Sequence, residues 1–327
     1  MSLPPFFKFE PIYKQVVWGG RRLGPLLGRE LPGDEPIGES WEVVDLPGDQ
    51  SVVGGGALAG STLGDLREQS CFELMGDSPL LAGRFPLLLK FIDAARTLSV
   101  QVHPDDDACR RLGGGARPKT EAWYIIDRDP GAELFVGLRP GVTREVFAEA
   151  IEGGEVDRLL HRLPVEPGDF VYLPSGTIHA IGQGIVLAEV QQSSDTTYRV
   201  FDWNRVGLDG RPRQLHVAEA LESIDYGQVG PPAQTEPASG RAGVRCPWFE
   251  MEMIDGLAGG VALEGVGPLA LMGVREGAAV GVRAAEGETR LGLGETLLIP
   301  AFAAGRVEVE GDGGVGILAV RARAGTE

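Results

Sequence analysis

The strongest constraint on this chain is a seven-residue unit that occurs twice. Gly168-Asp169-Phe170-Val171-Tyr172-Leu173-Pro174 returns as Gly294-Glu295-Thr296-Leu297-Leu298-Ile299-Pro300. Each copy runs glycine, acid, apolar run, proline. Glycine and proline punctuate local structure more strongly than any other residues, so each copy reads as a turn, a short buried strand and a second turn. Two such units predict a mainly β protein of two jelly-roll modules. The 49 glycines and 23 prolines among 327 residues agree, since they favour many turns and short strands over long helices. The copies diverge just downstream. His179 lies five residues after Pro174, whereas Gly305 holds that offset after Pro300. Glycine offers no side-chain ligand, so the second module is expected to bind no metal and to serve packing.

Short apolar runs place further strands near residues 40–44, 87–91, 97–102, 121–126, 170–173, 185–191 and 198–202. Two stretches depart from that period. Ser61 to Met75 reads as a helix capped by Ser61 or Thr62. Residues 143–163 read as a small helical insertion over one end of the first barrel. There Thr143 caps a helix carrying Val146, Phe147, Ala150 and Ile151, and Gly153-Gly154 breaks it. Val156, Leu159, Leu160 and Leu163 then suggest a second short helix. Pro, Gly and Gln crowd the stretch after Tyr226. The expected division is therefore a first domain over 1–228, a linker over 229–241 and a C-terminal β domain over 242–327.

A formal net charge of -17 argues against nucleic acid or an anionic membrane surface as partner. It does not argue against a small anion, because a few local cations outweigh a distant field. Three cysteines, Cys71, Cys109 and Cys246, form no C-x-x-C pair and suit a reducing compartment. The N-terminal Phe6, Phe7 and Phe9 are interrupted by Lys8 and Glu10, and no stretch reaches the roughly 20 apolar residues of a membrane span. A cytoplasmic protein is expected, and a monomer is compatible with the sequence.

Only four histidines occur: His103, His161, His179 and His216. In Gln101-Val102-His103-Pro104, residues 101 and 103 share one face of a strand, so the Gln101 Oε1 and a His103 ring nitrogen can converge. Glu121 opens the strand after Lys119-Thr120, and the turn Pro174-Ser175-Gly176-Thr177-Ile178 aims His179 back toward the same interior. Gln101, His103, Glu121 and His179 make a candidate metal set of mixed nitrogen and oxygen ligands. Glutamine is an uncommon zinc ligand, and a buried histidine can equally be a hydrogen-bonded core residue. His161 and His216 lie outside any cluster.

Four ordered segments carry a resemblance. They are Leu98-Ser99-Val100-Gln101-Val102-His103-Pro104-Asp105-Asp106, Lys119-Thr120-Glu121-Ala122-Trp123-Tyr124, Pro174-Ser175-Gly176-Thr177-Ile178-His179-Ala180-Ile181-Gly182 and Ser194-Asp195-Thr196-Thr197-Tyr198-Arg199. With Trp18-Gly19-Gly20 and Gly38-Glu39-Ser40-Trp41, they resemble the short bacterial branch of the type I mannose-6-phosphate isomerases, from about residue 6 to residue 216. The resemblance implies a double-stranded β-helix, or cupin, scaffold and one Zn²⁺ per chain on Gln101, His103, Glu121 and His179. It further implies an active-site arginine at Arg199, lysines at Lys90 and Lys119, and an acid at Asp195.

The implied chemistry suits those residue types. Aldose–ketose isomerisation passes through an enediol(ate), whose charge a metal can steady. A phosphosugar needs fixed cations, and Arg199 and Lys119 are the best placed. Lys119, Lys90, Asp195 and a metal-bound water all stand open as the proton-transferring base. A non-catalytic sugar-binding cupin and a metal-dependent oxygenase are the competing readings. The oxygenase would favour two histidines and one carboxylate with open positions, without the surrounding cations.

Overall fold

A computed structural model describes residues 3–277, 279–311 and 315–323. Four antiparallel sheets form its frame. The first has the strand order Leu160–Pro164, Glu133–Leu138, His179–Ala180, Val100–Val102, Tyr198–Phe201. The second runs Phe170–Leu173, Glu121–Arg128, Ile185–Gln192, Leu87–Ala94, Ile37–Val43, Ile12–Gly20. The third runs Gly243–Arg245, Phe249–Ile254, Ile317–Ala322, Leu269–Gly273, Thr296–Ile299. The fourth runs Val261–Glu264, Arg306–Glu310, Val280–Ala284, Gly287–Leu291.

Alternation along each strand decides which sheets share a core. Trp123, Ile125, Leu173 and Leu187 of the second sheet cluster with Leu134 and Val136 of the first. The opposite face of the second sheet, with Ala122, Tyr124, Val186 and Ala188, packs on Ala270, Met272, Leu298 and Leu318 of the third. The other face of the third sheet, with Leu269, Leu271 and Ile299, packs on Val280, Val282, Val307 and Val309 of the fourth. The sheets thus stack as four layers. Each fully buried Leu, Ile or Phe in them contributes about 1.5–3 kcal/mol relative to exposure. One polar knot joins the second and third layers. Arg29 grips both oxygens of Glu42 at 2.8 Å, and the Thr296 hydroxyl donates to Glu42 at 3.1 Å.

Helix Leu63–Met75 forms as its sequence requires, with Thr62 and Asp65 closing a capping box. Helix Arg144–Gly153 starts at Thr143 and ends at Gly154 in the left-handed conformation. Two expectations for this stretch need correction. Residues 156–163 do not form a second helix. Val156–Leu159 is a single 3₁₀ turn, and Leu160–Pro164 is an edge strand paired with Glu133–Leu138. Four apolar residues fitted helical spacing, but the free edge of the first sheet offered backbone partners over a longer run. Nor does the insertion cap a barrel end. Phe147 and Ala220 bury against Val100, Val102, Ala180 and Val200, so the helices lie on the outer face of the first sheet. Between residues 229 and 241 the chain makes isolated bridges, Val229 to Leu138 and Thr235 to Arg245.

The Trp18-Gly19-Gly20 and Gly38-Glu39-Ser40-Trp41 segments face each other at an irregular part of the second sheet. A Cβ on Gly19 would stand 2.3 Å from the Gly38 nitrogen. Only glycines permit that approach, which sets the register of Glu39 and Trp41.

Candidate active site

The polar residues that interrupt the apolar layers gather between the first and second sheets. Cross-strand pairing in the first sheet lines up Val136, His179, Gln101 and Arg199. In the second sheet it lines up Trp123, Glu189, Lys90 and Trp41, with Glu121 and Gln191 paired one step along. His103 follows the Val100–Val102 strand. The two rows face each other, and one ligand atom each from His103, Glu121 and His179 lies within 4.8 Å of the others.

Both imidazoles are oriented the same way. His103 Nδ1 meets the Thr196 carbonyl at 2.9 Å, and His179 Nδ1 meets the Thr177 carbonyl at 2.9 Å. A carbonyl can only accept, so each Nδ1 carries the proton and each Nε2 presents a lone pair. His103 Nε2 stands 3.3 Å from Glu121 Oε1, and His179 Nε2 stands 3.6 Å from Glu121 Oε2. Burial first, then the Lys119 charge, pushes His103 down to about 4 against the pull of Glu121. Burial likewise lowers His179. Burial opposes the Glu121 charge, yet Lys119 and the two histidines outweigh it and hold the carboxyl well below its usual range. The result is two neutral imidazoles and one carboxylate, the protonation states that ligate a metal.

Lys119 precedes the strand that Glu121 opens, and its Nζ still reaches Glu121 Oε1 at 2.7 Å, an ion pair out of line for a hydrogen bond. Gln101 turns Nε2 toward His179 Nε2 at 3.3 Å and accepts on Oε1 from the Ser99 hydroxyl at 3.3 Å. The amide is therefore at the cluster, with its oxygen directed away, opposite to the orientation read from the strand alone.

Lys90 lies one shell back. It is buried between Glu189 at 3.1 Å and Glu39 at 3.4 Å, with Trp41 against it. Burial works against its charge, but Glu189, Glu39 and Glu121 prevail and raise it well above the ordinary lysine value. Arg199 donates through Nε to Ser99 at 3.0 Å and through Nη1 to the Gln214 carbonyl at 3.2 Å. Burial, then the neighbouring Arg213, lowers its pKa. Asp195 is exposed, and the turn around it is closed by Ser194, whose hydroxyl accepts from Thr196 N at 3.2 Å. Asp195 instead shares the wall of a cavity of about 490 Å³ with Glu39, Trp41 and Lys14. A larger cavity of about 680 Å³ lies on the fourth sheet among Arg283, Arg290 and Arg306, remote from this chemistry.

Several participants were not singled out from sequence. Glu189 takes both Lys90 and the Trp123 indole N–H, the latter at 2.9 Å. An acid inside the apolar run Ile185–Gln192 was its signal, the counterpart of Lys90 inside Leu87–Ala94. Glu39 pairs with Lys90 and accepts from the Trp41 indole at 2.6 Å. His216 holds the Arg199 backbone, donating its N–H to the Arg199 carbonyl at 2.8 Å. Asp202 gathers Arg205 at 2.8 Å and Arg213 at 2.5 Å beside Arg199. The Glu39–Lys90, His216–Arg199 and Asp202–Arg213 contacts depend on chain reversals with no local sequence sign.

Comparison with known proteins agrees along the chain. Residues 6–143 match the family described as phosphomannose isomerase type I, catalytic domain. The chain is similar to mannose-6-phosphate isomerase ManA of Bacillus subtilis (strain 168), at 39% identity over 85% of this chain and 87% of the relative. It is 44% identical to a mannose-6-phosphate isomerase of Streptococcus mutans over 72% of this chain and 71% of that one. A crystal structure of the mannose 6-phosphate isomerase from Bacillus subtilis superposes with a TM-score of 0.86 at 30% identity, covering 97% of this chain and 100% of that one.

Proposed function

The chain belongs to the type I mannose-6-phosphate isomerase family, and on that premise we propose that it interconverts mannose 6-phosphate and fructose 6-phosphate with a Zn²⁺ ion that His103, Glu121 and His179 would hold, joined by Gln101 once its amide turns from Ser99 to present Oε1. The convergence of two imidazole Nε2 atoms and a carboxylate in the buried polar space between the first and second sheets carries the reading. Buried polar atoms are normally hydrogen-bonded, yet His103 Nε2 and both Glu121 oxygens lack such a partner. A divalent cation satisfies all three at once, and this nitrogen–oxygen donor set is of the kind zinc takes. When bound, the metal supplies Lewis acidity that polarises a carbonyl oxygen and steadies charge on O1 and O2 of the substrate.

The protein's own groups do the rest. Arg199 anchors the phosphate. Its bonds to Ser99 and Gln214 fix the guanidinium plane, and charge-assisted bonds from a fixed plane are the strong ones. The mixed wall of Glu39, Asp49, Asp195 and Lys14 offers acceptors and a donor to sugar hydroxyls, which orients the substrate. Lys90 stays charged between Glu189 and Glu39, so it gives up no proton and holds the two carboxylates in place. Lys119, buried beside Glu121, is the group placed to carry the proton between C2 and C1.

Anaerobic turnover of mannose 6-phosphate, followed through formation of fructose 6-phosphate, tests the reading. About one zinc per chain, loss of turnover on chelation and recovery with stoichiometric Zn²⁺ are expected. Full turnover without divalent metal overturns the metal assignment. Zinc-loaded protein that leaves the sugar unchanged overturns the reaction.

A further inference from the structure

Beyond the ligands themselves, one buried side chain has an arrangement that local packing does not require. Gln191 is fully buried on the site face of the second sheet, paired across the strands with Glu121. It donates from Nε2 to two carbonyls of the turn that follows it, Gln192 at 2.9 Å and Ser194 at 2.7 Å. The same turn is braced by Ser194, whose hydroxyl accepts from Thr196 N at 3.2 Å and donates to the Arg117 carbonyl at 3.2 Å. The turn then delivers the Thr196 carbonyl to His103 Nδ1 at 2.9 Å. A histidine ligates through Nε2 only while the proton is kept on Nδ1, and the group that accepts that proton sets tautomer and ring orientation.

We propose that Gln191 is a positioning residue for the metal site: it locks the 192–196 turn so that Thr196 holds His103 with its Nε2 lone pair toward Glu121. The proposal rests on the metal reading above, but the tautomer of His103 can be read without metal.

The test uses the full chain and Gln191→Met, which keeps length and volume and removes both donors. Long-range nitrogen-15 NMR of the metal-free protein is expected to show His103 protonated at Nδ1 in the wild type and as a tautomer mixture in the variant. Zinc affinity is expected to fall by about 10- to 100-fold, the usual effect of losing an outer-shell partner. The visible bands of the cobalt-substituted protein should shift with it. Ser51→Ala, which removes a buried hydroxyl bonded to Val44 N outside the site, controls for lost stability and should leave tautomer and affinity unchanged. Should Gln191→Met fold poorly, Ser194→Ala is expected to move both readouts the same way by a smaller amount. A wild-type His103 tautomer and wild-type zinc affinity in the folded variants overturn the role of Gln191. A wild-type chain that keeps the Nδ1 proton yet binds neither zinc nor cobalt overturns the metal reading instead, and the tautomer comparison still decides Gln191.

Discussion

The second and third sheets share one plan and differ in what they point inward. In each, the strand of the repeated unit is an edge strand. Phe170–Leu173 borders Glu121–Arg128, and Thr296–Ile299 borders Leu269–Gly273. The residue before the closing proline pairs across to Glu121 in one case, through Leu173, and to Leu269 in the other, through Ile299. Two residues further along, Trp123 corresponds to Leu271. On the next strand, Gln191 and Glu189 correspond to Arg321 and Ala319. Two residues upstream, Lys119 corresponds to Gly267. Among the described residues beyond 241, Thr296 is the one buried polar side chain, and it is spent on Glu42. One architecture thus encloses either a polar site or a dry core. Apolar inward residues give up the chemistry and remove most of the burial penalty on charge, Arg321 being an exception whose pKa burial lowers.

The comparison is broken most sharply by writing the third sheet's residue into the second. Glu121→Leu should abolish zinc binding and leave turnover at background, because it removes the anionic ligand and strands Lys119. Removing one partner of a buried ion pair costs roughly 3–5 kcal/mol, so a lower unfolding midpoint should accompany the loss. Metal content by elemental analysis and turnover by a coupled assay check it, and a zinc-loaded, active variant would show that position 121 does not separate the two sheets. Lys119→Arg keeps the charge of the position that Gly267 leaves empty. Since arginine does not give up its proton in this range, kcat should fall by about two to four orders of magnitude with zinc retained. A wild-type kcat would restrict Lys119 to holding charge and move attention to Asp195.

The reciprocal change is smaller and affects stability alone. Leu269→Glu places a carboxylate in a largely apolar core with no histidine to meet it, where the paired Arg321 already donates to the Gly267 and Ala304 carbonyls. Denaturant unfolding should show a loss of several kcal/mol or a strongly raised carboxyl pKa, with no metal gained. A variant as stable as wild type would mean that the third sheet tolerates charge as the second does. The smallest effect concerns acid. Asp45 is fully buried and binds Gln50, Phe85 N–H, Arg67 and Arg84 at 2.8–3.1 Å. Burial opposes its charge, but Gln50, Phe85 N–H and Arg67 prevail and lower its pKa below 3.8. A depressed carboxyl stabilises above its unfolded value and loses that contribution as pH falls through the folded one. That loss of stability, which sets in as pH falls below about 4, should vanish in Asp45→Asn. Hydrogen exchange near pH 3 should open the surroundings of Asp45 before Leu269–Gly273, and simultaneous opening would argue against the contrast.

Strong local signals survived into the structure. Thr62 and Thr143 cap helices as written because a cap needs only three or four neighbouring residues. Strands with dense β-formers, such as Glu121–Arg128 and Ile185–Gln192, were legible for the same reason. Leu160–Pro164 was not, since its four apolar neighbours fit a helix until an open sheet edge is available.

By itself the sequence determined a mainly β chain with a repeated turn–strand–turn unit, and it marked His103, Glu121 and His179 as scarce, chemically apt residues at strand ends. Period, punctuation and residue type are local properties, and they are carried by the chain before it folds. Tertiary structure alone decided that the repeats stack as four layers and that the inserted helix lies on an outer face. It also decided that Glu189 and Glu39 keep Lys90 charged, that the Gln101 amide oxygen turns to Ser99, and that the Gln191 turn supports His103 from behind. The Lys90 pairs with Glu189 and Glu39 and the Thr196 bond to His103 join residues far apart along the chain through contacts of about 3 Å, and no pattern in the order of residues encodes a distance until the sheets have fixed their register.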